Sequence, residues 1–201
     1  MSTSACGSGD LDLRPPEMQR SSMPAWLEFC PHCGYAAKEI AVCQEATTAV
    51  VNTPEYQRYA KDRTLPHLAP RFICAGMLAE ASGDLYAAGI NFVRAAWVFD
   101  DEQKDGGSRE WRQRAATVMK PRVMDGPLEI EEQLVVTAQW VDCLRRTGQF
   151  AEGLEVIEIL LAREISDDLR ALLTYQRSLT NGCDTACHLS SEAFRKEVRE
   201  Q

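Results

Sequence analysis

From Pro66 to Asn181 the apolar residues recur every three to four positions, a period that admits one kind of structure, a set of packed amphipathic helices. Leu68, Phe72, Ala75, Gly76 and Ala79 share one helical face, and Ser82-Gly83 ends that helix. A second helix follows at once. Leu85, Ala88, Gly89, Phe92, Ala95, Ala96 and Phe99 keep the helical spacing while Ile90, Val93 and Trp97 widen the stripe, so this helix is expected to be central and covered on two sides. Asp105-Gly106-Gly107 is expected to end it, and Ser108 with Glu110 to open a shorter, more polar helix that bears Trp111 and closes at Pro121. After a turn at Asp125-Gly126-Pro127, Leu134, Ala138, Val141 and Leu144 mark a helix running to Gly148, and Phe150, Leu154, Ile157 and Leu161 mark its partner. Ser166-Asp167-Asp168 caps a last strong helix with Leu169, Leu172, Leu173 and Leu179, ended by Asn181-Gly182. The expected fold class is therefore mainly α, built of antiparallel helical hairpins.

Two of the turns lie over each other. Leu78-Ala79-Glu80-Ala81-Ser82-Gly83-Asp84-Leu85-Tyr86-Ala87-Ala88 matches Cys143-Leu144-Arg145-Arg146-Thr147-Gly148-Gln149-Phe150-Ala151-Glu152-Gly153. Each has Gly at the turn, an apolar residue two later and a small residue five later. The pattern resembles the middle of a tetratricopeptide (TPR) repeat, where the small residue lets the second helix approach the first, and the two copies stand about two 34-residue periods apart. Two unrelated antiparallel helix pairs with glycine turns account for the same pattern.

Upstream of the helices the most chemically specific stretch is Phe29-Cys30-Pro31-His32-Cys33-Gly34-Tyr35. Pro after the first Cys and Gly after the second make a tight turn in which both sulfurs and several backbone N–H groups converge, which suits Zn2+. A redox dithiol of the same spacing opens a helix within a β-α-β pattern, and no such pattern surrounds this one. Cys6-Gly7 reads as the end of a first knuckle whose leading position is held by Thr3 instead of Cys. Between the knuckles, Leu11, Leu13, Met23 and Trp26 are expected to form the apolar patch of a hairpin, with Arg14 and Arg20 as local positive charge. Thr53-Pro54-Glu55 announces a short helix carrying Tyr56 and Tyr59. The expected organisation is a zinc-ribbon-like β/loop segment over 1–45, a connector with a short helix over 46–65, a TPR-like helical domain over 66–182 and a polar, weakly packed tail over 183–201.

Three groups can complete the clamp begun by Cys6, Cys30 and Cys33: Cys43, ten residues past Cys33; His32, expected to point away; and the cluster Cys183, Cys187 and His188, whose thiols share a side if that segment is helical. Cys74 and Cys143 fall within amphipathic helices as core residues, and His67 stands at a helix start. No Ser-His-Asp arrangement, phosphate loop or dinucleotide fingerprint occurs, and Asp100-Asp101, Glu131-Glu132 and Asp167-Asp168 sit at helix ends or solvated faces. With 30 acidic against 22 basic residues the chain carries a formal charge of -8, which argues against general nucleic-acid affinity. No membrane span or export signal is read, so a cytoplasmic protein with reduced thiols is expected.

The Cys30-Pro31-His32-Cys33-Gly34-Tyr35-Ala36-Ala37 knuckle, Cys6-Gly7 before it and Ala88-Gly89-Ile90-Asn91-Phe92-Val93-Arg94-Ala95-Ala96-Trp97-Val98-Phe99 after it resemble a bacterial family of uncharacterised proteins. That family joins a Cys-Pro-x-Cys-Gly zinc-ribbon-like N-terminus to TPR-like helices. The resemblance implies Zn2+ as cofactor with Cys6, Cys30 and Cys33 as ligands; it supplies no fourth, since Thr3 stands where the family pattern has Cys, and Cys43, Cys187, His188 or Cys183 are the candidates the sequence offers. The lack of catalytic motifs together with the TPR-like turns leads to the expectation of a zinc-binding helical scaffold for a protein or peptide partner, with no catalytic residues assigned. Two other classes stay open: a metal-dependent enzyme or thiol redox sensor using an open three-Cys site, and a nucleic-acid-binding ribbon helped by Arg14, Arg20 and Lys38.

Overall fold

The computed structural model describes residues 7–41, 45–125 and 130–195. Cys6, Cys43 and the Gly126-Pro127 turn lie outside the described residues, as does the side chain of Leu134. The chain is mainly helical with a small two-stranded antiparallel sheet near its N-terminus. Among the described residues no helix is long and apolar enough to cross a membrane.

The chain forms two compact units. The central unit spans Ser21–Met119; the terminal unit gathers residues 7–20 and 120–195. The central unit begins in a 3-10 helix, Arg20–Ala25, followed by β1 (Glu28–Phe29) and β2 (Ala36–Ala37), which pair with Glu28 opposite Ala37 and Phe29 opposite Ala36. Then come α1 (Glu45–Val51) and α2 (Pro54–Lys61). The Thr53 hydroxyl accepts the Tyr56 N–H at 3.3 Å, Pro54 opens the helix and Glu55 lies in its first turn, as the sequence predicts.

Helices α3 (Ala69–Ala81) and α4 (Leu85–Asp101) form a hairpin around the left-handed Gly83, at φ +82°. Asp84 caps α4 by accepting the Ala87 N–H at 2.9 Å. Burial of Phe92, Val93, Ala95, Ala96 and Trp97 makes α4 central. Gly76 makes room for α4 in this hairpin, since an added Cβ would fall 2.4 Å from the Phe92 ring. Gly153, the small residue singled out by the repeat pattern, has only ordinary contacts, with Thr180 at 3.6 Å.

The polar helix after α4 is longer than predicted. It is α5, Asp105–Asp125, and it starts before Ser108 and continues through Pro121. Gly106 and Gly107 stay helical, and Gly107 is required there because a Cβ would meet the Phe99 ring at 2.2 Å. Pro121 removes one donor without ending the helix. Arg112, buried in α5, donates to Asp100 at 2.7 Å and thereby ties the end of α4 to α5.

The terminal unit contains α6 (Ile130–Arg146), α7 (Phe150–Leu161), α8 (Asp167–Asn181) and α9 (Ser190–Arg195). Gly148 turns α6 into α7 at φ +81°, and Ser166 caps α8 by accepting the Leu169 N–H at 3.3 Å. Two expectations are corrected here. Leu11, expected in a hairpin patch, is buried with Ala138, Leu172 and Ala193, and Leu13 packs on that cluster. Backbone pairing fixes the exchange, since Leu11 N–H donates to His188 O at 2.7 Å and Ser190 N–H to Gly9 O at 2.9 Å. The tail from Cys183 is likewise held, by this pairing and by α9.

Candidate metal centre

The two strands β1 and β2 bracket the Cys30–Cys33 turn. Cys30 N–H donates to Tyr35 O and Gly34 N–H returns to Cys30 O, both at 2.9 Å. Gly34 completes the turn at φ +80°, and a Cβ there would also stand 2.5 Å from that of Ala60, so both backbone and neighbour require glycine. The Cys30 thiol lies at the mouth of this turn, beside the N–H groups of Cys33 and then His32. These donors hold its thiol below the ordinary value. Cys30 is half-buried and Cys33 exposed, so the pair is reachable from solvent.

Helix α2 braces this turn from behind, through residues that sequence reasoning missed. The buried Tyr56 hydroxyl donates to Gly34 O at 2.8 Å, and Gln57 Nε2 donates to Cys33 O at 2.9 Å and Val51 O at 2.7 Å. Burial raises the Tyr56 phenol, and it pushes the Cys74 thiol beside it up to about 12, so both stay neutral. Cys74 is thus a core residue, as its helix position predicts, and Cys143 is buried likewise. Tyr56→Phe keeps the ring but strips the Gly34 carbonyl of its donor, and is expected to cost about 1–3 kcal/mol in chemical denaturation.

The Cys183, Cys187 and His188 cluster lies in the terminal unit, in a loop and not a helix. His188 Nε2 faces Asp184 Oδ2 at 2.9 Å and its Nδ1 faces Glu192 Oε2 at 3.2 Å, with Tyr175 OH donating to the same Glu192 oxygen at 2.6 Å. Both ring nitrogens of His188 are thus taken up by carboxylate partners within the loop and α9. The Cys187 thiol faces Asp10, and desolvation of its sulfur and then the Asp10 charge push it up to about 12. Cys183 is exposed, at φ +53°. Among the described residues no three His, Cys, Asp or Glu side chains are grouped to hold a metal ion.

The loop that carries the cluster also clasps Arg145. This fully buried side chain donates to Asp142 Oδ1 at 2.6 Å, to Asp184 O at 2.7 Å and to Ala186 O at 2.9 Å. The Ala186 N–H, chiefly, lowers Asp184, and the Tyr175 hydroxyl, chiefly, lowers Glu192. Carboxylates depressed in the folded state contribute stability above their unfolded values that is lost as pH falls through the folded ones. Asp10, raised by burial and by Asp12, acts with the opposite sign. Amide exchange of residues 184–192 is therefore expected to stay slow at neutral pH and to accelerate only below about pH 4.

Comparison with family models, with curated proteins and with solved structures finds no match to this chain. Function is read from the residues alone. Of the three cations expected to aid nucleic-acid binding, Arg14 is buried and Arg20 donates to Asp10 at 3.0 Å, which leaves Lys38 exposed. Among its described residues the central unit also holds a cleft of about 320 Å³ beside α2. It is lined by Glu55 and Tyr59 of α2, Met77 of α3, Phe92 of α4, and Glu110 and Trp111 of α5. Tyr59 stands edge-on to Trp111 at 5.2 Å, and Trp111 stacks on Phe92 at 5.5 Å.

Proposed function

We propose that the protein is a zinc-binding helical scaffold that receives a protein or peptide partner, with the metal in a structural role. The observation that carries this reading is the Cys30–Cys33 turn, closed by two backbone hydrogen bonds and the left-handed Gly34, with both cysteines reachable from solvent. Such a turn favours thiolates, and paired thiolates at this spacing suit Zn2+. Cys6 and Cys43 are proposed to complete the tetrahedral set. When bound, the ion would lock the hairpin and, through Tyr56, Gln57 and Ala60, the seat of α2. The neighbouring face of α2 lines the aromatic cleft, so the metal and the partner surface share one short helix.

Cobalt substitution tests the role of the metal. The cobalt-loaded chain is expected to show thiolate-to-metal absorption from a closed tetrahedral site that does not respond to added anions, and to lose it in Cys30→Ser/Cys33→Ser. Absorption unchanged in that variant would overturn the site. An anion-sensitive spectrum would favour an open, catalytic zinc.

A second reading rests on the two free cysteines of the turn, Cys30 half-buried and Cys33 exposed, an arrangement that also suits thiol–disulfide exchange. It requires a reversible Cys30–Cys33 disulfide in metal-free protein, readable by mass shift after alkylation.

A further inference from the structure

The cleft of the central unit carries a more specific assignment, which rests on the reading of the helices as the receiver of a peptide. Its walls are apolar and aromatic, formed by Tyr59, Met77, Phe92 and Trp111, but its rim holds two carboxylates, Glu55 and Glu110. Both are exposed, and neither makes a hydrogen bond or ion pair with any of the described residues. The cations nearby are already engaged. Arg114, which also lines the cleft, donates through Nη2 to both oxygens of Glu80, at 2.9 and 2.7 Å. Arg58 lies over the Tyr59 ring, 4.5 Å from its centre, and donates to the Tyr59 hydroxyl at 2.7 Å.

We propose that this cleft takes a basic side chain, lysine or arginine, presented by a partner peptide. Such a side chain has an apolar stem that packs on Met77 and the rings, and a charged head that the two free carboxylates attract. The volume, about 320 Å³, lies at the low end of the roughly 300–1,000 Å³ of ligand pockets, which fits one long side chain. An acidic side chain meets like charge at the same rim, and a neutral one leaves both carboxylates without a partner.

The test uses the full chain and the blocked tripeptides Ac-Gly-Lys-Gly-NH2 and Ac-Gly-Arg-Gly-NH2, with the Gln and Glu analogues and n-butylammonium as comparisons. Binding is followed at the indole N–H signal of Trp111 by NMR. Saturable shifts with the basic peptides are expected, at least tenfold weaker in E55Q/E110Q and weakened by salt. Both substitutions are on the surface, so the variant's unchanged spectrum without peptide serves as the folding control. Basic peptides that bind E55Q/E110Q as well as wild type, or n-butylammonium binding as tightly as the lysine peptide, would overturn the proposal. Preferential binding of the Gln or Glu peptide would overturn the basic class while keeping the peptide-receiving function. If no peptide moves any signal, both fail.

Discussion

Replacing Arg145 with methionine is expected to destabilise the terminal unit by about 3–5 kcal/mol, the cost of breaking a buried ion pair from one side. Methionine fills the space of the arginine stem, so packing is largely kept. What is lost is the charge opposite Asp142, itself 1% exposed, together with the donors to the Asp184 and Ala186 carbonyls. The loop that carries Cys187 and His188 then loses its anchor on α6. Chemical denaturation should show the loss. Asp142→Asn combined with Arg145→Met should recover part of it, because the lone buried carboxylate is then gone. A loss below about 1 kcal/mol, the range of an exposed ion pair, would show that the pair is not buried in solution.

The second large effect concerns α2. Substituting both Cys30 and Cys33 with serine is expected to speed amide exchange in residues 54–61 by about a hundredfold or more while leaving α3 and α4 protected. A helix of eight residues is marginal on its own and depends on tertiary contacts. Here those contacts include the knuckle, through Tyr56, Gln57 and Ala60. Structural zinc in small peptides contributes on the order of 10–16 kcal/mol of apparent binding energy, so its loss should release the hairpin it closes. The α3–α4 hairpin has its own buried core of Phe72, Ile73, Phe92 and Trp97 and should not follow. Equal exchange in wild type and variant across residues 54–61 would mean that the knuckle does not hold α2.

Local chemistry explains why much of the helical fold was legible. Thr53 and Ser166 cap the helices they announce, and Gly83 and Gly148 take the left-handed turns that their positions require. Pro121 misled because one missing donor in a long helix costs less than the packing of Trp111, Ala115 and Met119 on the same helix returns. The seat of Leu11 was not legible at all. Its pairing with His188 joins segments at opposite ends of the chain, and no local period records such a contact. The candidate centre divides in the same way. Cys-Pro-His-Cys-Gly announces its own turn, whereas the Tyr56 hydrogen bond to Gly34 spans 22 positions and left no signal beyond a tyrosine on a predicted helix. The Arg145 clasp was hidden because a buried arginine reads, in sequence, like any charge in the last turn of a helix.

The central claim is that Cys30 and Cys33 hold a structural zinc ion. The most direct measurement is zinc per chain, by elemental analysis, in protein purified under reducing conditions without chelator, for wild type and for Cys30→Ser/Cys33→Ser. One zinc per chain in wild type and none in the variant is the predicted result. Wild-type protein free of zinc, or a variant that retains it in full, would contradict it.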